Sequence, residues 1–454
     1  MATSTLVVLT LAAGAACGDG GEPEPDSIDL PLAQPVAREE RPHILLIVLS
    51  SARADRFSTH GYGRPTTPQL EALAREGVAY DACWSPAASS PSAYGSLFTA
   101  ASPWQHGVTD DRTYLTRDAI TLAERLGAAG YETACFAADP FLSPDHGLTQ
   151  GFRHVFPAYR RPDRGVETTC LEAANWAVEA AARGRSFFLL VNAVEAQLPL
   201  RPPAARQAAF LSVPEVTEAE IEGARAFDLQ AATRTFGDRF EAPPRLQPVL
   251  SDLYDAEIAG IDAAIGRLLS RLRREKVLDR TLVVVTGEHG LNLGEEGGRF
   301  GHLFSLGRSV LNVPLVIRMP GRFEGGRRER GVVRLEDVGA TILDAVGLAA
   351  ADDADGRPLP GAGELDERVA RATWGPRPDL APGLREQHPD IDPALAERRI
   401  DSVFDGRWHY LREVNGDRVR HRLFDVVADP AETQNLAESE PETVSRLKER
   451  LPRK

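Results

Sequence analysis

The chain has 454 residues, of which 43% are hydrophobic and 26% charged, and these fractions are ordinary for a soluble globular protein. This length accommodates one large hydrophobic core and a smaller subdomain. The 66 acidic residues outnumber the 52 basic residues and give a net charge of −14. Because no basic cluster occurs along the sequence, this charge excludes nucleic acid as a generic partner.

The first predicted element is a mostly apolar segment, residues 5–16, which ends in small residues before Cys17. It resembles the hydrophobic part of a secretory signal, and its end resembles a bacterial lipoprotein cleavage site. We therefore expect residues 1–17 to act as a signal and Cys17 to be lipidated, which would attach an exported protein to a membrane in the periplasm or at the cell surface. An ordinary N-terminus is the alternative. Residues 18–40, rich in Gly, Pro, Asp and Glu, are predicted to be a flexible linker.

The first strand is predicted at residues 44–49, an unbroken run of Ile, Leu and Val bounded by polar residues. The run is too short to span a membrane, and it is typical of a strand buried on both faces of a parallel sheet. In open α/β sheets the functional residues lie beyond the carboxyl ends of the strands. Here that edge begins with Ser50 and Ser51.

Helix and strand patterns then alternate along the chain. Capped or amphipathic segments predict helices at residues 68–76, 119–129, 168–182, 249–274 and 337–346. Apolar runs predict buried strands at residues 132–137, 187–191, 282–286 and 313–318. Residues 82–92 and 103–107 are predicted loops, and residues 207–241 a partly helical surface insertion. The alternation predicts an α/β fold with a doubly wound, mostly parallel sheet over residues 41–348.

The composition changes in the last quarter of the chain. Residues 349–398 are rich in Pro, Gly, Asp and Glu, and we expect boundary loops there. Two hairpin turn signals, Asp405-Gly406 and Asn415-Gly416, separate short β-rich segments. They predict a small antiparallel sheet, with a terminal helix at residues 440–451, as a C-terminal subdomain over residues 399–454.

Several strings in this order resemble the sulfatase family of the alkaline-phosphatase-like superfamily. They include RPHILLIVL with GYGRPTTPQLEALAREGVAY, SPS with SLFTA and HGV, YDAEIAGIDAAIGRLL, TLVVVTGEHG with FGH, and LFDVVADPAETQNLA. The resemblance implies the alkaline-phosphatase-like fold, hydrolysis of sulfuric esters, and a hard divalent cation such as Ca²⁺ or Mg²⁺ held by acidic ligands. It also implies a Cys or Ser nucleophile that is converted to formylglycine.

The family's metal-binding positions fall on Ser50 and Ser51 and, in the string GEHG, on Glu288 and His289. Neutral hydroxyls supply none of the negative charge that holds a dication against its hydration shell. Since one carboxylate remains at most, we expect no bound metal, and Ca²⁺ or Mg²⁺ only if the protein is active.

The family's nucleophile position falls on Ser89 in the string SSPSA, where the arginine of the motif is replaced by Ala93. A shift of one residue places Ser90 at the nucleophile and Tyr94 at the arginine, but it loses the proline of the motif. An ordinary Ser/Pro loop is the alternative to a modified serine.

Three further positions carry over as catalytic. His106 in QHGV matches a family position near the sulfate, and Gln197 replaces a histidine, so it cannot transfer a proton near neutral pH. His302 in FGH stands where a lysine is frequent, and when protonated it would donate to a sulfate oxygen.

The substitutions lead to three hypotheses. The first is a sulfatase-like pseudoenzyme that is impaired in catalysis and keeps a pocket for a sulfated or phosphorylated ester. The second is an active hydrolase of sulfate or phosphate esters with Ser89 as an atypical nucleophile. The third is a structural envelope lipoprotein anchored at Cys17.

Overall fold

A computed structural model describes residues 41–110, 112–161, 165–236, 242–352, 354–361, 363–377 and 391–452 of the chain. The expected signal, the lipidated Cys17 and the linker lie outside the described residues. Within the described ranges, every helix is too short or too polar to cross a membrane.

The strands, numbered in chain order, form three sheets. They are β1 (His43–Leu49), β2 (Val78–Trp84), β3 (Glu132–Ala137), β4 (His154–Pro157), β5 (Phe187–Ala193), β6 (Thr281–Gly287), β7 (Asn292–Leu293), β8 (Phe300–Gly301), β9 (Asn312–Arg318), β10 (Arg327–Arg334), β11 (Ala370–Trp374), β12 (Arg399–Phe404), β13 (Trp408–Asn415) and β14 (Arg418–Asp425). The central sheet has the order β10-β2-β9-β6-β1-β5-β3-β4, and β7 pairs with β8.

The α-helices, also in chain order, flank the sheets. They are α1 (Pro68–Arg75), α2 (Ser90–Thr99), α3 (Pro103–His106), α4 (Leu122–Ala128), α5 (Gly165–Ala182), α6 (Ala204–Phe210), α7 (Glu218–Arg225), α8 (Leu229–Arg234), α9 (Leu246–Arg274), α10 (Arg308–Leu311), α11 (Leu335–Ala345) and α12 (Pro441–Lys448).

The central sheet is mostly parallel, as the sequence predicts. Strand β9 pairs antiparallel with both β2 and β6, while β1 pairs parallel with β5 and β6. In the register of these strands, Leu49 lies opposite Ala193 and Gly287, so the carboxyl ends of β1, β5 and β6 meet at one edge. This edge positions the candidate site.

Strand β1 supplies side chains to a core on each face of the sheet, because successive side chains of a strand point to opposite faces. Leu45, Ile47 and Leu49 pack with α1, α5 and α9 on one face. Ile44, Leu46 and Val48 pack with α2, α4 and α11 on the other. The predicted α/β fold class with a doubly wound sheet is therefore confirmed.

The C-terminal subdomain is an antiparallel sheet with the order β11-β12-β13-β14. Both predicted hairpins are confirmed, since Asp405-Gly406 separates β12 from β13 and Asn415-Gly416 separates β13 from β14. Strand β11 lies within the stretch for which we expected boundary loops. The indole of Trp84, at the end of β2, stacks on Phe404 of β12 with ring centroids 4.1 Å apart, so this sheet packs against the central one.

The loop prediction for residues 82–92 is confirmed for residues 85–89 and wrong at both ends. These residues contain the end of β2 and the first turn of α2. Every residue of α2 from Ser90 to Phe98 is buried. A helix that is covered on all sides has no polar face, so it shows no helical periodicity in its sequence. Residues 103–107, also predicted as a loop, contain the single turn of α3.

Candidate active site

The position directly after β1 is filled by a hydrogen-bonded network that includes three polar side chains, Ser50, Tyr94 and Asn192. The Ser50 hydroxyl is fully buried and accepts a hydrogen bond from Asn192 Nδ2 at 3.1 Å. Asn192 Nδ2 also donates to the Tyr94 hydroxyl at 2.7 Å, and the Ser50 and Tyr94 hydroxyl oxygens are 3.3 Å apart. The backbone of Val48, Ala138 and Asp139 supplies further partners to Asn192.

Ser51 takes the next position in a left-handed conformation with φ of +57°. This conformation is unfavourable for residues other than glycine, so neighbouring contacts must hold it. The Ser51 N–H donates to Glu288 Oε1 at 3.3 Å, and its carbonyl accepts from the Tyr254 hydroxyl at 2.7 Å. The backbone of this turn thus directs an N–H group at the Glu288 carboxylate.

Glu288 and His289 follow β6 and are fully buried. Glu288 Oε1 accepts from the Ser51 N–H, whereas Oε2 has no hydrogen-bond partner among the described residues. Burial, together with the charge of Asp139, raises the pKa of Glu288 well above its usual value. His289 Nδ1 lies 2.8 Å from the Gly290 carbonyl, so Nδ1 carries the proton and Nε2 is the acceptor. Burial holds the pKa of His289 well below its usual value, which keeps this ring neutral.

Ser90, the first residue of α2, is the hydroxyl that the fold brings to this pair. Its Oγ lies 3.3 Å from Glu288 Oε1 and 3.3 Å from His289 Nε2. The neighbouring Ser89 precedes the helix, and its buried Oγ has no hydrogen-bond partner among the described residues. The contacts thus correspond to the shifted register of the motif, with Ser90 and Tyr94, and the catalytic role of Ser89 stays a prediction.

His302 joins the site through His289. The centroids of the two imidazole rings are 4.5 Å apart, and His302 Nδ1 donates to the Ala88 carbonyl at 2.7 Å. Burial lowers the pKa of His302. A neutral ring with Nδ1 protonated presents Nε2 as an acceptor, so in this state His302 cannot donate to a sulfate oxygen through Nε2.

Among the described residues, no hydrogen bond, ion pair or ring contact joins His106 or Gln197 to Ser90, Glu288 or His302. His106 Nδ1 accepts from the Val108 N–H at 3.0 Å, and Nε2 lies 2.9 Å from Ser96 Oγ. These contacts tie α2 to the segment after α3. Gln197 is half-buried in the turn after β5, where its N–H donates to the Val194 carbonyl.

Sequence reasoning missed two residues of the site, Asn192 and Asp139. Asp139 is buried near Ser90, which acts to lower the pKa of this carboxyl, but burial has the larger effect and raises the pKa to about 6. Asn192 Oδ1 accepts from the Asp139 N–H at 2.7 Å, which links Asp139 to the network around Ser50. Asp139 follows a predicted buried strand, so the rule that directed attention to Ser50 could also have found it.

Comparison with known proteins decides the family, because the Sulfatase family model matches residues 42–348. The chain belongs to the sulfatase family. It is 29% identical to arylsulfatase K of Xenopus laevis over 198 residues. This alignment covers 44% of this chain and 35% of that protein. The chain thus spans about a third of the length of the first curated relatives it matches.

Two further comparisons cover most of this sulfatase-family protein. Choline-sulfatase of Rhizobium meliloti is 23% identical over 457 residues, or 88% of this chain and 83% of that protein. The crystal structure of the phosphonate monoester hydrolase of Agrobacterium radiobacter superposes with a TM-score of 0.71 at 21% identity, and covers 90% of this chain and 94% of that chain. This structural likeness establishes the shared fold.

The donor atoms at the strand edge do not fit the Ca²⁺ or Mg²⁺ site that sulfatase-family resemblance implies. Of the four matched positions, Ser50, Ser51, Glu288 and His289, one carries a carboxylate, and the Ser50 oxygen already accepts from an amide. Hard dications select several carboxylate or carbonyl oxygens. Within the described ranges, no group of three or more His, Cys, Asp or Glu side chains is arranged to hold a metal ion.

Proposed function

We propose that this protein is a sulfatase-family member that lacks ordinary sulfatase turnover and keeps a polar pocket for a sulfated or phosphorylated ester. The loss of turnover is supported by the network of Ser50, Tyr94 and Asn192 at the strand edge, in which the hydroxyl oxygens of Ser50 and Tyr94 already accept from the Asn192 amide. A cation would have to displace these partners, and it would gain few negatively charged ligands in return.

The retained pocket is supported by two buried polar atoms of residues next to Ser90. Ser89 Oγ and Glu288 Oε2 have no hydrogen-bond partner among the described residues. Buried polar atoms in native proteins are nearly always paired with protein, water or a bound molecule. The names of the relatives give the ligand class, since they include sulfatases and a phosphonate monoester hydrolase.

The proposal is tested on purified protein by elemental analysis, mass spectrometry and a sulfatase assay with an aryl sulfate. We expect far less than one Ca²⁺ or Mg²⁺ per chain, an unmodified serine in the peptide that contains Ser89, and no turnover. Stoichiometric metal, together with aryl sulfate hydrolysis that is abolished by Ser89→Ala, would overturn the proposal.

A second candidate function is hydrolysis of a sulfate, phosphate or phosphonate ester by a serine hydroxyl. It is favoured by the 3.3 Å contact between Ser90 Oγ and His289 Nε2, because a hydroxyl beside a neutral, oriented imidazole is the arrangement of an activated nucleophile. Ser90 also begins a helix of ten residues, whose N-terminal N–H groups favour a negatively charged group.

This second function is tested by a screen of sulfate, phosphate and phosphonate monoesters with the wild-type protein and two variants. Turnover that is lost in Ser90→Ala and kept in Ser89→Ala would establish Ser90 as the nucleophile. The absence of turnover with all three ester classes would dispose of this function.

The cellular location is proposed on the sequence alone. We propose that residues 1–17 direct export and that Cys17 is lipidated, so that the protein is held at a membrane in the periplasm or on the cell surface. Fractionation of cells that express the full chain should place the wild type with membranes and the Cys17→Ser variant in the soluble fraction. If the wild type and Cys17→Ser partition equally, lipid attachment at Cys17 is rejected. The hypothesis of a structural envelope lipoprotein anchored at Cys17 would then be rejected as well.

A further inference from the structure

A cavity of about 320 Å³ lies at the seam between the central sheet and the C-terminal sheet. It is formed by the end of β10, the segment that leads into β11, and the residues after α12. Five arginines line it together with Glu367 and Val369, namely Arg334, Arg357, Arg368, Arg371 and Arg450. In a chain with a net charge of −14, this concentration of cations is unusual.

Three of these arginines contact three carboxylates, one of which is Glu336, 3.7 Å from Arg334. Asp337 pairs with Arg334 at 2.6 Å and with Arg368 at 2.9 Å. Asp366 pairs with Arg368 at 2.6 Å and with Arg357 at 2.9 Å. Each of these three arginines therefore has at least one carboxylate partner.

The other two arginines have weaker counter-charges. Arg371 Nε donates to the Arg450 carbonyl at 2.6 Å, and Arg371 has no carboxylate partner among the described residues. Arg450 pairs with Glu367 at 3.9 Å, and the Glu367 side chain is 86% exposed. Burial and the nearby cations Arg334 and Arg450 lower the pKa of Arg371, although the carboxylates of Glu336 and Asp355 act in the opposite direction.

We propose that this cavity binds a tetrahedral oxyanion, a sulfate or phosphate group, with Arg371 and Arg450 as its main ligands. Planar guanidinium groups match such anions with pairs of charge-assisted hydrogen bonds. The cavity is at the lower end of the ~300–1,000 Å³ range of small-molecule sites, so it suits a free ion or a small monoester. The bound anion would connect β11 to the C-terminal segment. This site shares no residue with the Ser90 site and does not depend on the function proposed for it.

Isothermal titration calorimetry with the full chain tests the site. Sodium sulfate and sodium phosphate are the free-ion probes, and glycerol 3-phosphate is the monoester probe, each at an ionic strength matched with sodium chloride. We expect saturable binding of at least one probe to the wild type. Arg371→Gln and Arg450→Gln should each weaken it roughly 10- to 100-fold, as expected for the loss of charge-assisted hydrogen bonds.

Two control variants make the result specific. Arg274→Gln removes an arginine whose side chain is 64% exposed at the end of α9, and it should bind the anion as the wild type does. Ser90→Ala should also bind normally, because the candidate active site is separate. If the free ions bind more tightly than glycerol 3-phosphate, the ligand is a free sulfate or phosphate ion. If glycerol 3-phosphate binds more tightly, the ligand is a monoester.

The thermal midpoint in chloride shows that each variant is folded, and the probe that binds should raise this midpoint more in the wild type than in Arg371→Gln. The proposal is overturned if no probe binds beyond the chloride control. It is equally overturned if Arg371→Gln and Arg450→Gln bind as tightly as the wild type, or if binding is lost in Ser90→Ala alone.

Discussion

The Ser90 hydroxyl lies 3.3 Å from His289 Nε2 and 3.3 Å from Glu288 Oε1, whereas the hydroxyl of the adjacent Ser89 contacts no polar partner among the described residues. A hydroxyl has one proton, so Ser90 donates to one of these groups at a time. Its position at the start of α2 makes it the link between the helix and the residues after β6.

This difference between adjacent serines predicts opposite effects on stability. Ser90→Ala should lower the free energy of unfolding by about 1–3 kcal/mol, because it removes the hydroxyl that faces the buried Nε2 of His289. Ser89→Ala removes a buried hydroxyl without a partner and should be neutral or stabilising. Urea denaturation at neutral pH measures both, and equal losses in the two variants would show that the contacts of Ser90 carry no special weight.

Tyr94 should matter through its hydroxyl. Tyr94→Phe keeps the buried ring but removes the acceptor of the 2.7 Å bond from Asn192, and we expect a loss of about 1–2 kcal/mol in the free energy of unfolding. Tyr114→Phe is the matched control. Because Tyr114 is 51% exposed, the loss of its hydroxyl should have little effect on the free energy of unfolding. If Tyr94→Phe is as stable as the wild type, the hydrogen bond between Asn192 and Tyr94 contributes little to the stability of the network around Ser50.

Removal of divalent cations should leave the wild type unchanged, since its donor atoms do not fit a hard dication. Its thermal midpoint in EDTA and in excess Ca²⁺ should agree. The double variant Ser50→Asp/Ser51→Asp should lose about 3–5 kcal/mol in EDTA, because it buries uncompensated charges. Ca²⁺ at 100 times its dissociation constant should then restore about 2.7 kcal/mol to this variant.

The wild-type midpoints in EDTA and in excess Ca²⁺ test the absence of a bound cation without the double variant. A clear fall in the wild-type midpoint on addition of EDTA would mean that the native chain holds a structural cation. If the double variant does not fold, Ser51→Asp alone serves the same purpose, because aspartate tolerates the left-handed conformation at this position better than most residues.

His106 predicts a specific pH dependence of stability. Burial lowers its pKa to about 3, so the folded state binds the proton more weakly than the unfolded chain, where the pKa is about 6.5. The stability that His106 contributes is therefore present above pH 6.5 and is lost as the pH falls towards 3. His106→Gln should be less stable than the wild type at pH 7, and the difference should narrow by about 3 kcal/mol at pH 4, at ~1.4 kcal/mol per pH unit.

Urea denaturation between pH 4 and pH 8 measures this narrowing. His154→Gln is the control, because the side chain of His154 is 37% exposed. Parallel profiles for the wild type and His106→Gln would show that His106 exchanges protons freely in the folded state, as a catalytic histidine would.

The strands that position the site were predictable because both of their faces are covered. Strands β1 and β6 consist largely of aliphatic residues that are all buried, and such runs stand out in a sequence. Strand β2 did not stand out, because its polar Asp81 is half-buried and interrupts the apolar run. The sequence therefore did not predict β2, and the start of α2 was included in the predicted loop.

The identity of the contacting serine was not predictable from the motif. Ser89 and Ser90 are adjacent, and neither register restores the motif: the first has Ala93 in place of the arginine, and the second has Tyr94 there and also loses the proline. The turn into α2 decides between them, because it places Ser90 beside His289. The arginine-lined cavity was hidden for a related reason: its arginines are scattered from position 334 to position 450, and the fold alone brings them together.

The stacking of Trp84 on Phe404 has a consequence for how this protein can vary. Two contacts with the C-terminal sheet hold the segment between Trp84 and Ser90 in place. One is this stack, and the other is the Thr373 N–H, which donates to the Pro86 carbonyl at 3.1 Å. A chain cut after residue 348, where the family match ends, would lose both restraints. Positions 84 and 404 should therefore show epistasis: a smaller ring at one would be tolerated only with a larger one at the other, although neither touches Ser90.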